Sequence, residues 1–294
     1  MPRYHVVTDS SARFSRPTIV QQYGIHMLPN VVEVGERSFR EDIDLSAEDM
    51  LRLIGGLRRP PTVRPPSVTS FAALYQQLAR NSDGIISLHP SREINASWSN
   101  AHAAAGQAVG SVPITIIDTR TLCAGQGMLV RLAAQGVVDG LLYDDIVKNV
   151  RNAVERVYSI YYTETLEYLR LNAIMSESRA ILGSILGIKP LLSIEEGLLM
   201  VTEKVRTRGQ AVDQLVEYLL EFEELDDAII MQPKPNITEQ TRVLQDRLSG
   251  EFVGRHFPYA MYGAALAALI GVDAIGVVIL ESEIAQSQDD FSED

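Results

Sequence analysis

The first 135 residues alternate short apolar runs with segments of helical periodicity. The apolar runs end at Val7, Leu88 and Ile117, and each of them predicts a buried strand. Between these runs, apolar residues recur every three or four positions, as in residues 47–54 and 68–79, which predicts amphipathic helices. Strands that alternate with helices in this way are typical of a doubly wound parallel sheet.

The pattern changes after residue 156. Residues 186–194 and 198–205 are apolar segments joined by Glu195-Glu196-Gly197, which predicts an antiparallel hairpin. The remaining pattern predicts a helix at 209–222, a strand at 228–232, a helix at 239–248, a strand at 251–257 and an apolar segment up to 280. We therefore expect a mixed sheet with helices in this part of the chain.

Two domains follow from these two patterns. A chain of 294 residues is also about twice the usual length of one domain, roughly 150 residues. We expect residues 1–156 to form an N-terminal α/β/α parallel-sheet domain and residues 157–280 to form a two-layer mixed α/β domain. The groove between the two domains is the expected small-molecule site.

The segment 57–67 is rich in proline and arginine. Its sequence, LRRPPTVRPPS, predicts a stiff loop without a regular element, because proline cannot donate a backbone hydrogen bond. Thr62, Arg64 and Ser67 in this loop are donors that can face a ligand.

Polar side chains follow each predicted parallel strand. Asp9 and Ser10 come after the first strand, the loop that contains Asn95 and leads to Ser97 comes after the second, and Asp118 ends the third. The carboxyl ends of parallel strands share one edge of the sheet, where open α/β sheets bind ligands. Around Asp9 the sequence fits a ligand platform and a well-capped helix equally well.

The composition excludes some classes of protein. A net charge of -12 argues against a nucleic-acid partner. No apolar run approaches the length of a transmembrane helix, and no apolar leader is visible, so we expect a cytoplasmic protein. Residues 281–294 contain acids and no bases, which predicts a solvated, disordered tail.

Cofactor chemistry has little support in the sequence. The single cysteine, Cys123, is predicted to be a buried thiol, and the five histidines lack metal-ligand spacing. Gly125-Gln126-Gly127 lacks the third glycine of a dinucleotide fingerprint, so close helix packing is the preferred explanation. We therefore expect neither a metal nor a cofactor.

Several motifs resemble those of the DegV family of bacterial lipid-binding proteins, over a stretch from Tyr4 to about Leu280. Thr8-Asp9-Ser10-Ser11 resembles the VTDS turn of the family, and Leu166-Glu167-Tyr168-Leu169-Arg170 resembles its LEYL helix. Ile188-Lys189-Pro190-Leu191-Leu192, Gly197 and Lys204-Val205-Arg206-Thr207 have the family's residue types at the family's spacing.

The resemblance implies two α/β domains that hold a long-chain fatty acid, with its tail inside and its carboxylate at the strand-end loops. It implies no catalysis by this chain. In some members the bound acid passes to a separate kinase, so a fatty-acid kinase is the partner that the resemblance suggests.

The head-group motifs of the family are altered in this chain. Val63 stands at the position of the carboxylate-binding threonine, with Thr62 beside it, and Ile94-Asn95-Ala96 stands for leucine-serine-glycine. Asn172-Ala173-Ile174-Met175 stands for glycine-glycine-arginine-isoleucine, and the family's histidine is absent from residues 261–276. The expected head-group contacts are therefore uncharged donors at Thr62, Asn95 and Ser97, next to Ala96, with Arg64 as the base.

Three functions stay open at this point. Burying an alkyl tail contributes roughly 0.8 kcal/mol per methylene, which favours binding of a fatty acid or similar lipid. The altered motifs also fit an apolar ligand with a neutral head group. In the third, an enzyme uses Asp9 and Asp118 to hold Mg²⁺ and Ser10 for hydrolysis or phosphoryl transfer.

Overall fold

The computed structural model describes residues 3–107 and 112–283, so residues 284–294 of the predicted tail lie outside the described part. The first part of the chain contains β1 (Tyr4–Asp9), α1 (Thr18–Gln22), β2 (His26–Leu28), β3 (Val31–Val34), β4 (Arg37–Arg40), α2 (Ala47–Gly55), β5 (Thr62–Arg64), α3 (Val68–Ala79), β6 (Gly84–His89), α4 (Ser97–Gln107), β7 (Ile114–Asp118), α5 (Ala124–Val138) and α6 (Tyr143–Val154). The second part contains β8 (Val157–Tyr162), α7 (Glu167–Leu171), α8 (Glu177–Ile185), β9 (Lys189–Glu195), β10 (Leu198–Val205), α9 (Arg208–Leu220), β11 (Leu225–Gln232), α10 (Glu239–Glu251), β12 (Tyr259–Met261), α11 (Ala264–Ile270) and β13 (Ile275–Glu281).

The first sheet is parallel, with the strand order β2-β1-β6-β7. Every residue of β6 is buried, as expected for a central strand covered on both faces. The predicted doubly wound parallel sheet is therefore confirmed. Its carboxyl edge carries Asp9 at the end of β1, and His89 at the end of β6 lies opposite Asp118 of β7.

A second, small sheet has the order β4-β3-β5 and is antiparallel. The prediction that residues 57–67 contain no regular element was wrong, because β5 lies inside this segment and pairs Val63 with Val32. β5 is an edge strand of three residues with prolines on either side, so its own residues supply the ladder donors and the prolines need none.

The third sheet has the order β10-β9-β8-β13-β11-β12. β11 and β12 are parallel and the other pairs are antiparallel, which confirms the predicted mixed sheet. The predicted hairpin is β9–β10, whose turn residues Glu196 and Gly197 both have positive φ, as a two-residue type I′ turn requires.

The strand predicted at residues 251–257 was wrong. α10 continues through Glu251, because Leu244 and Leu248 are buried at helical spacing and the Phe252 N–H still donates to the Leu248 carbonyl. The strand of this region is β12, which begins at Tyr259 and pairs with β11.

α5 lies between the first and the third sheet. It packs against β1 and β6 on one side and against β8, β11 and β13 on the other. A Cβ atom at Gly127 would lie 1.9 Å from the Arg13 carbonyl oxygen, and one at Gly125 would lie 2.6 Å from Thr121 Oγ1. Close packing of the helix on a strand was predicted for these two glycines; the packing is close, but only Gly125 approaches a strand, at Val157 of β8. Cys123 before them is buried, as predicted.

The domain bounds at 1–156 and 157–280 stay a prediction. None of the helices within residues 3–107 and 112–283 has both the length and the apolar character that a membrane span requires.

Candidate functional site

A buried chain of hydrogen bonds lies beneath the carboxyl edge of the first sheet. Asp9 Oδ2 accepts from His89 Nδ1 at 2.8 Å and from Ser97 Oγ at 2.6 Å. On the other side of the imidazole, His89 Nε2 lies 2.7 Å from Ser87 Oγ, which accepts from the Tyr75 hydroxyl at 2.8 Å. All five side chains are fully buried. We call Tyr75, Ser87, His89, Asp9 and Ser97 the strand-end network.

The strand-end network keeps Asp9 ionised. Burial alone would raise the pKa of its carboxyl, but the hydrogen bond and charge of His89, together with the bonds from Ser97 and Ser11, lower the pKa below its usual value. The hydrogen-bond donors of the Asp9 carboxylate are therefore groups of the protein itself. This arrangement holds the loop that follows β1 against the start of α4.

Ser10 belongs to a second polar cluster. Its hydroxyl donates to Glu41 Oε2 at 2.7 Å, while Glu41 Oε1 accepts from Arg13 at 2.5 Å and from the Ala264 N–H at 2.7 Å. Burial alone would lower the pKa of the Arg13 guanidinium, but the carboxylates of Glu41 and Asp42 raise it. The cluster joins the loop after β1 to the start of α11 in the second half of the chain.

The loop between β6 and α4 places Asn95 and Ala96 at the surface of this edge. Asn95 Oδ1 accepts from the Ser97 N–H at 2.8 Å, so the amide shapes its own turn into α4. Ala96 is exposed, and Asn100 one turn later donates to the Pro66 carbonyl at 2.9 Å. That bond ties the first turn of α4 to the segment that follows β5.

Thr62 and Arg64 both point to the exposed face of β5. Arg64 Nε donates to Glu33 Oε1 on β3 at 2.6 Å, and 65% of the Arg64 side chain is exposed. Val63 between them packs against the main hydrophobic core. The structure thus gives Arg64 a carboxylate partner of its own, while Thr62 stays accessible.

Asp118 has partners different from those of Asp9. It accepts from the Arg120 N–H at 2.9 Å and lies 3.5 Å from the Arg92 guanidinium. Across the described ranges, no three or more side chains form a group able to hold a metal ion.

An apolar cavity of about 370 Å³ lies between the α7–α8 segment and the β9–β10 hairpin. We call it the α8 cavity; its apolar wall includes Leu166, Ile174, Met175, Leu182, Leu199 and Val201. The exposed bases Arg179 and Lys204 also line it. Ile174 and Met175 follow a turn in which Ala173 has a φ of 57° and Asn172 donates to the Tyr168 and Ala268 carbonyls.

The β9–β10 hairpin connects the α8 cavity to the predicted head-group loop. At its tip, a Cβ atom on Gly197 would lie 2.4 Å from Ser91 Oγ, so the backbone of the hairpin touches the start of the loop after β6. Leu199, two residues further along β10, lines the cavity. Ile94 of the loop packs against the same hydrophobic core as Met175 and Leu199.

Comparison with known proteins decides the family. The model of the family described as "Uncharacterised protein, DegV family" matches residues 3–282. This chain belongs to the DegV family. Protein DegV of Bacillus subtilis (strain 168) is 28% identical over 276 residues, which cover 92% of this chain and 97% of that protein.

Solved structures of the DegV family share the fold. A structure described as that of DegV, a fatty acid binding protein from Bacillus subtilis, has a TM-score of 0.82 and 26% identity, over 96% of this chain and all of that one (100%). A fatty acid binding DegV family protein from Streptococcus agalactiae has a TM-score of 0.85 and 23% identity, again over 96% and 100% of the two chains.

Sequence reasoning brought together Asp9, Ser10 and Ser97 but missed His89 and Glu41. His89 ends a run of apolar residues, and a polar residue at the end of a buried strand was a signal that it faces the same edge as Asp9. Glu41 accepts from the Ala264 N–H of α11, which lies more than two hundred residues away in sequence. Local sequence patterns carry no information about such a distant contact.

Proposed function

We propose that this chain binds a long-chain fatty acid or a similar lipid, with the alkyl tail in the α8 cavity. The observation that carries the proposal is the cavity itself, whose lining residues are mostly aliphatic and all lie within residues 166–204. The description of the Bacillus subtilis DegV structure as that of a fatty acid binding protein supports the same ligand class.

The head group is proposed to lie at the carboxyl edge of the first sheet. At that edge Ala96 is exposed and Asn95 is half-buried. Thr62 and Arg64 on β5 are proposed to reach the same head group, with Arg64 as a base if its bond to Glu33 opens. Asp9, Ser10 and Ser97 support this surface from below, and Asp118 flanks it on β7.

We propose that the chain does not catalyse a reaction on its ligand. Two of the three residues of the enzyme hypothesis, Asp9 and Ser10, are buried and engaged in hydrogen bonds with His89, Ser97 and Glu41. The third, Asp118, is half-buried and accepts from the Arg120 N–H. A separate fatty-acid kinase is the proposed partner, as the family resemblance suggests, and the chain itself is proposed to be cytoplasmic.

A lipid with a neutral head group is the second candidate. It is favoured by the ion pair between Arg64 and Glu33, which already engages the base expected to meet an acidic head group. A buried carboxylate without a cation costs several kcal/mol. Competition between a fatty acid and its methyl ester separates the two candidates, and Arg64→Gln tests whether Arg64 gives the acid an advantage.

Organic extraction of the purified protein, followed by mass spectrometry, tests the proposed function. We expect the extract to contain a long-chain lipid in an amount close to equimolar with the protein. Leu199→Trp should reduce this ratio because the larger side chain fills the cavity, while Leu198→Trp, at the neighbouring exposed position, should not. A protein that is empty after purification and takes up no fatty acid or ester would refute the proposal.

A further inference from the structure

His89 lies where it cannot touch a ligand but holds the loop that is proposed to do so. Its side chain is fully buried, and both ring nitrogens have partners, Asp9 on one side and Ser87 on the other. The ring of Phe71 meets the imidazole edge-on at a centroid distance of 4.9 Å, which restricts its orientation.

His89 is connected to the first residue of α4 both directly, with Nδ1 3.2 Å from Ser97 Oγ, and through two shorter hydrogen bonds to Asp9. The same oxygen, Asp9 Oδ2, accepts from His89 Nδ1 and from Ser97 Oγ, so the imidazole sets the position of the carboxylate that holds Ser97. The Ser97 N–H in turn donates to Asn95 Oδ1. The conformation of the Asn95–Ser97 turn thus depends on where the Asp9 carboxylate lies.

We propose that His89 is a positioning residue for the lipid-binding loop and acts through Asp9 and Ser97. The inference rests on the proposed function, because it takes the loop around Asn95 as a ligand contact. In this role His89 supplies a fixed hydrogen-bond donor at Nδ1. Without that donor, the buried Asp9 carboxylate loses one of its partners and moves, and its bond to Ser97 weakens.

The chain contains its own reporter of the loop. Trp98, the single tryptophan, follows Ser97 directly and stacks on His102 at a ring distance of 5.0 Å. The guanidinium of Arg92, in the loop after β6, lies over the indole at 5.7 Å, so a shift of the loop against the start of α4 changes the surroundings of Trp98. The fluorescence emission of Trp98 therefore reports the conformation of the loop in the ligand-free protein.

Two substitutions of His89 distinguish the contributions of its two ring nitrogens. The amide nitrogen of His89→Asn can take the place of Nδ1 and keeps a donor for Asp9, while His89→Gln places its amide near Nε2 and leaves Asp9 without that donor. Tyr75→Phe is the matched control, because it removes a hydrogen bond at the far end of the strand-end network and leaves Asp9 and Ser97 intact.

The measurements are oleate affinity, Trp98 emission and unfolding by urea for all three variants. We expect His89→Gln to weaken oleate binding about tenfold, the equivalent of one lost hydrogen bond to a charged group, and to shift the emission. We expect His89→Asn and Tyr75→Phe to keep both properties near the wild type even where their stability falls.

The proposal is overturned if the emission and affinity of His89→Gln match those of Tyr75→Phe, or if His89→Asn loses as much affinity as His89→Gln. Wild-type protein that binds neither oleate nor its methyl ester would instead refute the proposed function. The emission of Trp98 in the ligand-free variants would then still decide whether His89 positions the loop.

Discussion

Glu41 accepts hydrogen bonds from four groups: the side chains of Ser10, Arg13 and Asn30 and the backbone N–H of Ala264. Only 1% of its side chain is exposed, so the carboxylate is held by the protein alone. The cluster therefore connects the two halves of the chain through buried hydrogen bonds.

We expect Glu41→Gln to lower the free energy of unfolding by about 3 kcal/mol, because it leaves the buried guanidinium of Arg13 with one carboxylate, Asp42, instead of two. Urea denaturation measures the change. Glu48→Gln is the control, since its ion pair with Arg52 is exposed and contributes little. Equal effects of the two substitutions would contradict the buried-pair argument.

At the scale of single residues, the sequence predicted that polar side chains gather at one edge of the sheet, but it did not predict which of them form hydrogen bonds with each other. Asp9, Ser10 and Ser97 had to converge, because the carboxyl ends of parallel strands share one edge. The bond from Arg64 to Glu33 depends on the register between β3 and β5, which no local pattern specifies. The role of His89 depends in the same way on the contact between β1 and β6.

Among the elements, the β9–β10 hairpin is the one that bridges the head-group loop and the α8 cavity. We expect Gly197→Ala to destabilise the protein by about 1–3 kcal/mol more than Gly187→Ala, and to lower the amount of bound lipid. Both glycines have positive φ, but a Cβ atom at Gly197 meets Ser91 Oγ at 2.4 Å, whereas one at Gly187 has nothing within 4 Å. The measurements are urea denaturation and lipid extraction.

Gly187→Ala thus controls for the conformational cost of a positive φ. If the two variants lose the same stability and carry the same amount of lipid, the contact between the hairpin and the Ser91 loop is unimportant.

The β1–β2 pair contains a pH-sensitive contact. His26 Nε2 lies 3.1 Å from His5 Nδ1. Burial, and then the charge of Arg3, lowers the pKa of His5 below its ordinary value of 6.5, and burial, followed by His5, lowers that of His26. The unfolded chain therefore binds more protons than the folded protein as pH falls through 6.5 towards the lowered values.

We expect stability to decrease in that pH window and the double variant His5→Gln, His26→Gln to show a smaller decrease. Urea denaturation between pH 7.5 and about 5 measures the difference. A slope that is unchanged in the double variant would show that other groups cause the pH dependence.

Helices and strands were predictable where the apolar residues followed a clear helical or strand period over a long stretch of sequence. β6, α3 and the β9–β10 hairpin follow from apolar runs, helical spacing and a two-residue turn. β5 was missed because three residues between prolines carry no period, and pairing with β3 alone makes them a strand. β12 was misplaced because α10 continues into the segment assigned to it.

On the scale of the whole molecule, α5 connects the two halves. It belongs to the first half by sequence, yet it packs against three strands of the third sheet. We expect a fragment of residues 1–156 to expose this apolar face, to aggregate, and to bind more of a hydrophobic dye than the full chain binds. Size-exclusion chromatography and dye fluorescence measure both properties, and a monomeric fragment that leaves the dye unbound would contradict the prediction.

The position of α5 also limits which substitutions its sequence tolerates. From Ala124 to Val130, seven consecutive residues are buried, so the first two turns of this helix lack the solvent-facing side on which most helices accept substitutions. A change that suits one sheet must also suit the other. The glycines of this segment, Gly125 and Gly127, are therefore expected to be among the positions where selection from a random library returns the starting residue.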